Sequence, residues 1–319
     1  MKSVNIGLRR DAFLIGGLAA VLILVELAIT SQFHRSIVTL SVIYSIAAIG
    51  LTLLLGYAGQ VSIGQGAFMG LGAYAAAFCI QKLGLPVPLT IIAATLLSAT
   101  FGYLLARPIL RLSGHNLALA TLALGAVFFV FASQWREVTG GLDPGIVDLP
   151  SLELGGFAHG RVIFWLAATL LVLCAALAVA IVGGRFGRAL KTLRTSEVVA
   201  SCMGIDVAQT KAAVFAIAAG FAGLSGSLFA LYLRSFNAGA FGVGLSIELL
   251  MMVIIGSLST IWGAIFGAFA IVLLPNLLEG FDHAKHLIYG LTMVGIMMFA
   301  PNGLGEAVAR VLLRRRRST

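Results

Sequence analysis

Long runs of apolar residues dominate this chain and leave it few ways to fold. About ten are present, over 12–30, 36–56, 61–81, 87–106, 115–133, 161–183, 207–233, 243–258, 261–279 and 285–300. Crossing a hydrocarbon core about 30 Å thick takes roughly 20 helical residues, and in lipid each segment must satisfy its own backbone N–H and C=O groups, which selects the α-helix. The residue balance agrees. Hydrophobic residues make up 60% and charged residues 10%, against about 25% charged in a soluble domain, and a chain of this size cannot hide that much apolar surface from water. The expected fold is all-α and polytopic, with about ten transmembrane helices and glycine-rich bent or re-entrant segments. Disordered, collagen-like and disulfide-scaffold classes are excluded.

Basic residues orient the spans. A net charge of +9 would suggest nucleic acid in a soluble protein; here Lys and Arg belong at membrane boundaries, and no nucleic-acid partner is expected. With both termini cytoplasmic, the inner segments hold Lys2, Arg9, Arg10, Arg107, Arg111, Arg185, Arg188, Lys191, Arg194, Lys211, Arg310 and Arg314 to Arg317, which is 15 of the 21 cations. Shifting one early span would put the basic 184–211 segment outside and break the positive-inside rule. The stretch from Ala12 to Thr30 is longer than a signal-peptide core and reads as a retained first span. The second-to-third and eighth-to-ninth junctions are so short and glycine-rich that a broken or re-entrant helix is an alternative to a hairpin.

Two connections exceed ordinary turns. The outer one, about 134–160, contains Gly140, Gly141, Pro144, Pro150, Gly155 and Gly156 and reads as a turn-rich, net acidic cap. The inner one, about 184–206, has helical spacing. Phe186, Leu190 and Leu193 fall on one side, and Arg188, Lys191 and Arg194 are presented elsewhere. Ser196 with Glu197 suits a second helix start, Gly204 its exit, and Asp206 with Gln209 a cap for the next span. Such a basic interfacial segment is either an ordinary inner loop or a platform for a cytosolic protein.

Enzymatic chemistry finds no footing. No Gly-Lys dipeptide occurs, so the glycine-rich phosphate cradle with its lysine is missing. His283 and His286 stand at i, i+3 without a clear third metal ligand, and Cys79, Cys174 and Cys202 are too scattered for a disulfide or zinc site. No nucleophile–base pair or carboxylate dyad shares a face. Neither cofactor nor metal is expected.

Glycine usage is more informative. Six glycines fall between Gly56 and Gly72, at 56, 59, 64, 66, 70 and 72, interleaved with Gln60, Ser62 and Gln65. Glycine permits unwound backbone and close helix approach, while polar side chains at membrane depth should face protein or water. The segment reads as a bent, cavity-lining element comprising Gly59, Gln60, Ser62, Gly64, Gln65 and Gly66; the competing reading is simple packing through Gly66-xxx-Gly70. Gly220, Gly223, Gly226, Gly263 and Gly267 read as packing faces. Two carboxylates fall inside spans, Glu26 and Glu248, each at a cost of roughly 2.5–3.5 kcal/mol near a helix centre. Glu248 follows Gly242, Gly244 and Ser246 and is assigned to a polar pathway, whereas Glu26 reads as interfacial or packing. Two acids and no basic residue well inside a span give little support to ion-coupled transport.

The run from Gly50 to Tyr74, GLTLLLGYAGQVSIGQGAFMGLGAY, closely resembles the signature of branched-chain amino acid ABC-transporter permeases, in particular the LivM type. The likeness continues through Arg111 to Gly114, Thr139 to Gly141, Gly187 to Ile205 and Phe299 to Leu304, and so covers nearly the whole chain. It implies a single transmembrane permease domain over 1–319 in a bacterial inner membrane, forming half of a translocation pathway. The implied partners are a second homologous permease subunit, two cytosolic ATPase subunits and an extracytoplasmic substrate-binding protein. The resemblance assigns the 184–206 segment to ATPase coupling, with Arg188, Arg194, Glu197 and Gly204, although Glu197 to Gly204 departs by one residue from the spacing usual in such loops. Permeases similar to this one also serve urea and short amides. An ATP-independent facilitator or a membrane scaffold is the reading from another class.

Overall fold

The computed structural model describes residues 2–29, 31–110, 112, 114–152, 158–277 and 290, with side chains from Leu14 onward in the first helix. Apart from Gly290, the expected tenth span lies outside the described residues, as do His283, His286 and the arginine-rich C-terminus.

The chain is built from helices α1 (Lys2–Ala28), α2 (Gln32–Leu51, running on through a π-helical turn at Thr52–Tyr57), α3 (Gln65–Gln81), α4 (Val87–Ile109), α5 (His115–Gln134), the single turn α6 (Arg136–Thr139), α7 (His159–Gly183), α8 (Arg185–Thr195), α9 (Glu197–Cys202), α10 (Val207–Leu233), α11 (Val243–Gly256) and α12 (Ile261–Leu277). Among the described residues, five helices are long and apolar enough to cross a membrane: α2 with its π-turn, α4, α5, α7 and α10. No strand occurs among them, and the one isolated β-bridge joins Ile146 and Phe236. The protein is an all-α polytopic membrane protein.

Helices α2 and α10 form the centre, with 83% and 89% of their apolar windows buried, whereas α4 and α5 are 33% and 28% buried and turn most of their surface outward. Small residues let the central helices close up. A Cβ on Gly226 would sit 1.8 Å from Met69 O, and one on Gly72 would sit 2.2 Å from Gly223 O, so α3 and α10 touch backbone to backbone. The α11–α12 pair is equally tight, since Cβ atoms at Gly256 and Gly267 would meet Gly263 O at 1.9 Å and Met252 O at 1.8 Å. The packing roles expected of Gly223, Gly226, Gly263 and Gly267 are realised.

Connections gather at two ends. At the cap end, Ile146 and Phe236 exchange backbone hydrogen bonds of 2.9 and 3.0 Å, Leu149 N–H donates to Arg234 O (3.1 Å), and Asn237 Nδ2 donates to Leu142 O (3.0 Å). At the elbow end lie α8, α9, the π-turn of α2 and the 257–260 turn, where Tyr57 Oη donates to Ser259 O (3.1 Å). After α10 the chain returns into the bundle. Phe236 and Phe241 pack on Tyr74, Phe241 Cβ lies beside Gly70, and Ser246 meets Gly66. Helix α11 therefore begins deep inside and, with 14 residues, extends only about 21 Å at 1.5 Å per residue. The spans expected at 61–81 and 243–258 are corrected accordingly: the first is non-helical before Gln65, and the second is a partial-length helix ending at Gly256.

Candidate functional site

Two features single out residues 58–66. Ala58 to Gly64 is unwound, and although Gly59 is exposed and Val61 and Ile63 are half-buried, the polar side chains are enclosed, with Gln60, Ser62 and Gln65 at 4%, 1% and 1% exposure. Backbone that cannot hydrogen-bond along a helix needs side-chain partners at this depth. Ile63 N–H donates to Thr121 Oγ1 of α5 (2.9 Å), Gly66 N–H to Ser246 Oγ of α11 (2.9 Å), and Gln65 Nε2 to Ala218 O of α10 (2.8 Å). The result is a polar seam where the N-termini of α3 and α11 converge. Gly64 and Gly66 have no room for a side chain, because a Cβ would lie 2.5 Å from Thr121 O and 2.7 Å from Ser246 Oγ. Gln60 is the exception to this satisfaction, since among the described residues neither Oε1 nor Nε2 has a hydrogen-bond partner.

Of the residues singled out from sequence, Gly59, Gln60, Ser62, Gly64, Gln65 and Gly66 come together in this seam. Glu248 stands apart on the half-exposed face of α11 that also carries Gly244 and Ile247, within electrostatic reach of the Tyr44 hydroxyl of α2. Spacing of i, i+4 puts Gly244 and Glu248 on one face. Among the described residues nothing lies within 4 Å of a Cβ built on Gly244.

The elbow has the two-helix form expected of it. Ser196 Oγ accepts from Val199 N–H, Asp206 Oδ1 accepts from Gln209 N–H (2.9 Å), and Gly204 takes a φ of +77° at the exit of α9. Leu190 and Leu193 are buried on the bundle, and Arg188 is exposed. Arg194 turns inward: its guanidinium donates to Gly56 O at the end of the π-turn, and its stem covers Gly59, whose φ of +70° suits glycine. The elbow and the unwound segment are thus in direct contact. Glu197 pairs with Lys211 of α10, whose residue exposure is only 7%. Glu197→Gln should cost about 1–2 kcal/mol, less than the ~3–5 kcal/mol for breaking a fully buried pair because Glu197 is 52% exposed. Adding Lys211→Met should recover most of that loss, as read by thermal unfolding in detergent.

Three arrangements escaped the sequence. Glu26 is paired with Arg35 (3.3 Å) and Arg161 (3.5 Å) at the cap end. An acid in the last turn of one span followed by an arginine at the start of the next was the available signal. His159, isolated in sequence, accepts from Leu152 N–H (2.9 Å) and contacts Leu231 O (3.0 Å), fastening the cap to α10. The elbow also exposes apolar side chains, Val198 at 71%, Val199 at 45% and Met203 at 69%.

The family described as branched-chain amino acid transport system / permease component matches residues 34–300. The chain belongs to this family. Among relatives of this permease, the high-affinity branched-chain amino acid transport system permease protein LivM of Salmonella typhimurium is 30% identical over 299 residues, covering 86% of this chain and 70% of that protein. LivM of Escherichia coli K12 is 30% identical over 84% of this chain and 69% of its own length. A probable branched-chain amino acid transport permease protein LivH of Methanocaldococcus jannaschii is 24% identical over 88% and 95%. No solved structure matches the chain.

Proposed function

We propose that this chain is a permease subunit of an ATP-driven importer for branched-chain amino acids, paired with a second homologous permease, two cytosolic ATPase subunits and an extracytoplasmic binding protein. The reading takes 1–319 as one permease domain, with the elbow end and both termini in the cytoplasm. The Arg194 bond to Gly56 O carries the proposal, because it gives a surface elbow a rigid link to a buried seam. Val198, Val199 and Met203 form an apolar knob on an otherwise basic segment, the kind of surface that marks a protein contact. An ATPase seated there would move α8 and α9, and through Arg194 the π-turn and residues 58–66.

The seam residues Gly59, Gln60, Ser62, Gly64, Gln65 and Gly66, together with Glu248, form the proposed pathway elements. Unwound polar backbone between helix N-termini near the midplane is how many carriers meet a charged substrate. A zwitterion with an aliphatic side chain needs little more than apolar walls and a few polar groups, and weak contacts favour release. Selectivity then rests with the binding protein.

Reconstitution with the partner permease, binding protein and ATPases should give leucine uptake that requires ATP; uptake without ATPases overturns the importer reading in favour of a facilitator, and uptake of urea or short amides in place of leucine overturns the substrate. Reversing the exposed charge, Arg188→Glu, should leave ATP hydrolysis running while uptake is lost. Arg194→Glu should uncouple as well, with lower thermal stability because the Gly56 anchor goes with it. Unchanged transport in both variants would count against the elbow.

A further inference from the structure

We propose that the groove between the end of α4 and the start of α10 is a binding site for a phospholipid with a zwitterionic headgroup bearing a primary amine, of the phosphatidylethanolamine type. The groove has a volume of about 380 Å³ and is lined by Tyr103, Ala106, Arg107, Leu110, Asp206, Ala208, Gln209 and Ala212. That volume lies within the range of roughly 300–1,000 Å³ for small-ligand sites.

Its charges are what set it apart. Arg107 and Asp206 line the same groove, yet no ion pair within 4.0 Å joins them among the described residues. The Arg107 side chain is exposed, and its guanidinium rests against Tyr103, over the ring at 5.4 Å from its centroid and 3.4 Å from the hydroxyl, which keeps it beside the groove. Asp206 uses Oδ1 to cap Gln209 N–H (2.9 Å), and among the described residues no donor is recorded on its second oxygen. A cation and an anion that line one groove without pairing with each other are complementary in charge to a phosphate and an ammonium carried by one headgroup. The guanidinium fork suits the phosphate oxygens, and the carboxylate suits a primary ammonium with three N–H donors.

The surroundings select a lipid over a soluble ligand. Arg107 is in the last turn of α4, where a helix leaves the hydrocarbon and arginine meets headgroups. Ile92, Leu96 and Thr100 continue the Tyr103–Arg107 face toward the bilayer centre at helical spacing, with Ile92 and Leu96 exposed by 55% and 61%, as an acyl chain would require. The site holds in whichever leaflet the elbow end lies.

The test is native mass spectrometry of the full chain released from nanodiscs of equal parts dioleoyl phosphatidylethanolamine, phosphatidylcholine and phosphatidylglycerol. One phosphatidylethanolamine should be retained with a preference of about five- to tenfold, the scale of one charge-assisted contact at a partly exposed site. Asp206→Asn keeps a side-chain oxygen for the cap and should erase the preference over phosphatidylglycerol without changing thermal unfolding. Arg107→Ala should reduce retention of all three lipids. Equal retention of the three by the unsubstituted chain, or an unchanged preference in Asp206→Asn, overturns the proposal. In the assembled transporter, a photo-crosslinking residue in place of Ala208 should capture phosphatidylethanolamine; capture of an ATPase subunit instead would make the groove a protein contact and equally overturn it.

Discussion

Gly226→Ala should leave little folded protein in the membrane, a large effect for a single methyl group. The added Cβ would lie 1.8 Å from Met69 O, 2.7 Å from Met69 C and 3.1 Å from Ala73 N, all backbone atoms of α3. No rotamer change relieves a clash with backbone, so α3 and α10 would have to separate. Separation is opposed at the next contact, where Gly72 already meets Gly223, and Ser225 of the same helix donates to Ile43 O of α2 (2.7 Å). Overpacking of a close interior ordinarily costs about 1–3 kcal/mol and more where nothing can yield, as here. Size-exclusion chromatography in detergent should show aggregated or absent protein. Gly16→Ala on α1, with nothing among the described residues within 4 Å of the new Cβ, should behave as unsubstituted or slightly more stable. Equal yield and melting temperature in both variants would mean that α3 and α10 do not pack as described.

The long spans were readable because a membrane leaves a long apolar run only one backbone solution, whether it faces lipid or lies at the centre of the bundle. Helices α4, α5, α7 and α10 fall within a few residues of the runs 87–106, 115–133, 161–183 and 207–233. The break after α2 was visible in composition, since a dense alternation of glycine with glutamine and serine suits unwound backbone better than a lipid-facing helix. Its form was not. A π-turn at Thr52–Tyr57 adds one residue per turn inside a uniformly apolar sequence, where hydropathy has nothing to register. The depth at which α11 begins was hidden for a different reason: the 234–242 stretch, with Arg234, Ser235 and Asn237, reads as an ordinary connection between spans, and only its packing along Tyr74, Gly70 and Gly66 shows it descending into the bundle. The elbow's caps were local and therefore legible. Arg194 on Gly56 O spans 138 positions and His159 on Leu231 O spans 72, so neither could be paired before the fold was known.

Gln60→Leu should separate stability from transport. In this conformation the residue is 4% exposed and neither amide atom has a partner among the described residues, although its own backbone N–H is satisfied by Leu54 O (3.0 Å). An amide buried this way costs about 1–3 kcal/mol, and an apolar side chain of similar size removes that cost. The melting temperature should therefore hold or rise by about 2–4 °C. ATP-driven uptake should nevertheless fall about tenfold, the equivalent of roughly one hydrogen bond, because the proposed motion of the elbow carries residues 58–64 to a state in which the amide finds partners, whether substrate or backbone. Gln60→Glu should lower both quantities, since a carboxylate here would be unpaired as well as charged. Raised stability with full uptake in Gln60→Leu would reduce Gln60 to a packing residue and move the search for the moving part to Glu248 and the open face of α11. A fall in melting temperature would show instead that the amide is already satisfied in the resting protein, and the link drawn from Arg194 through Gly59 to Gln60 would lose its purpose.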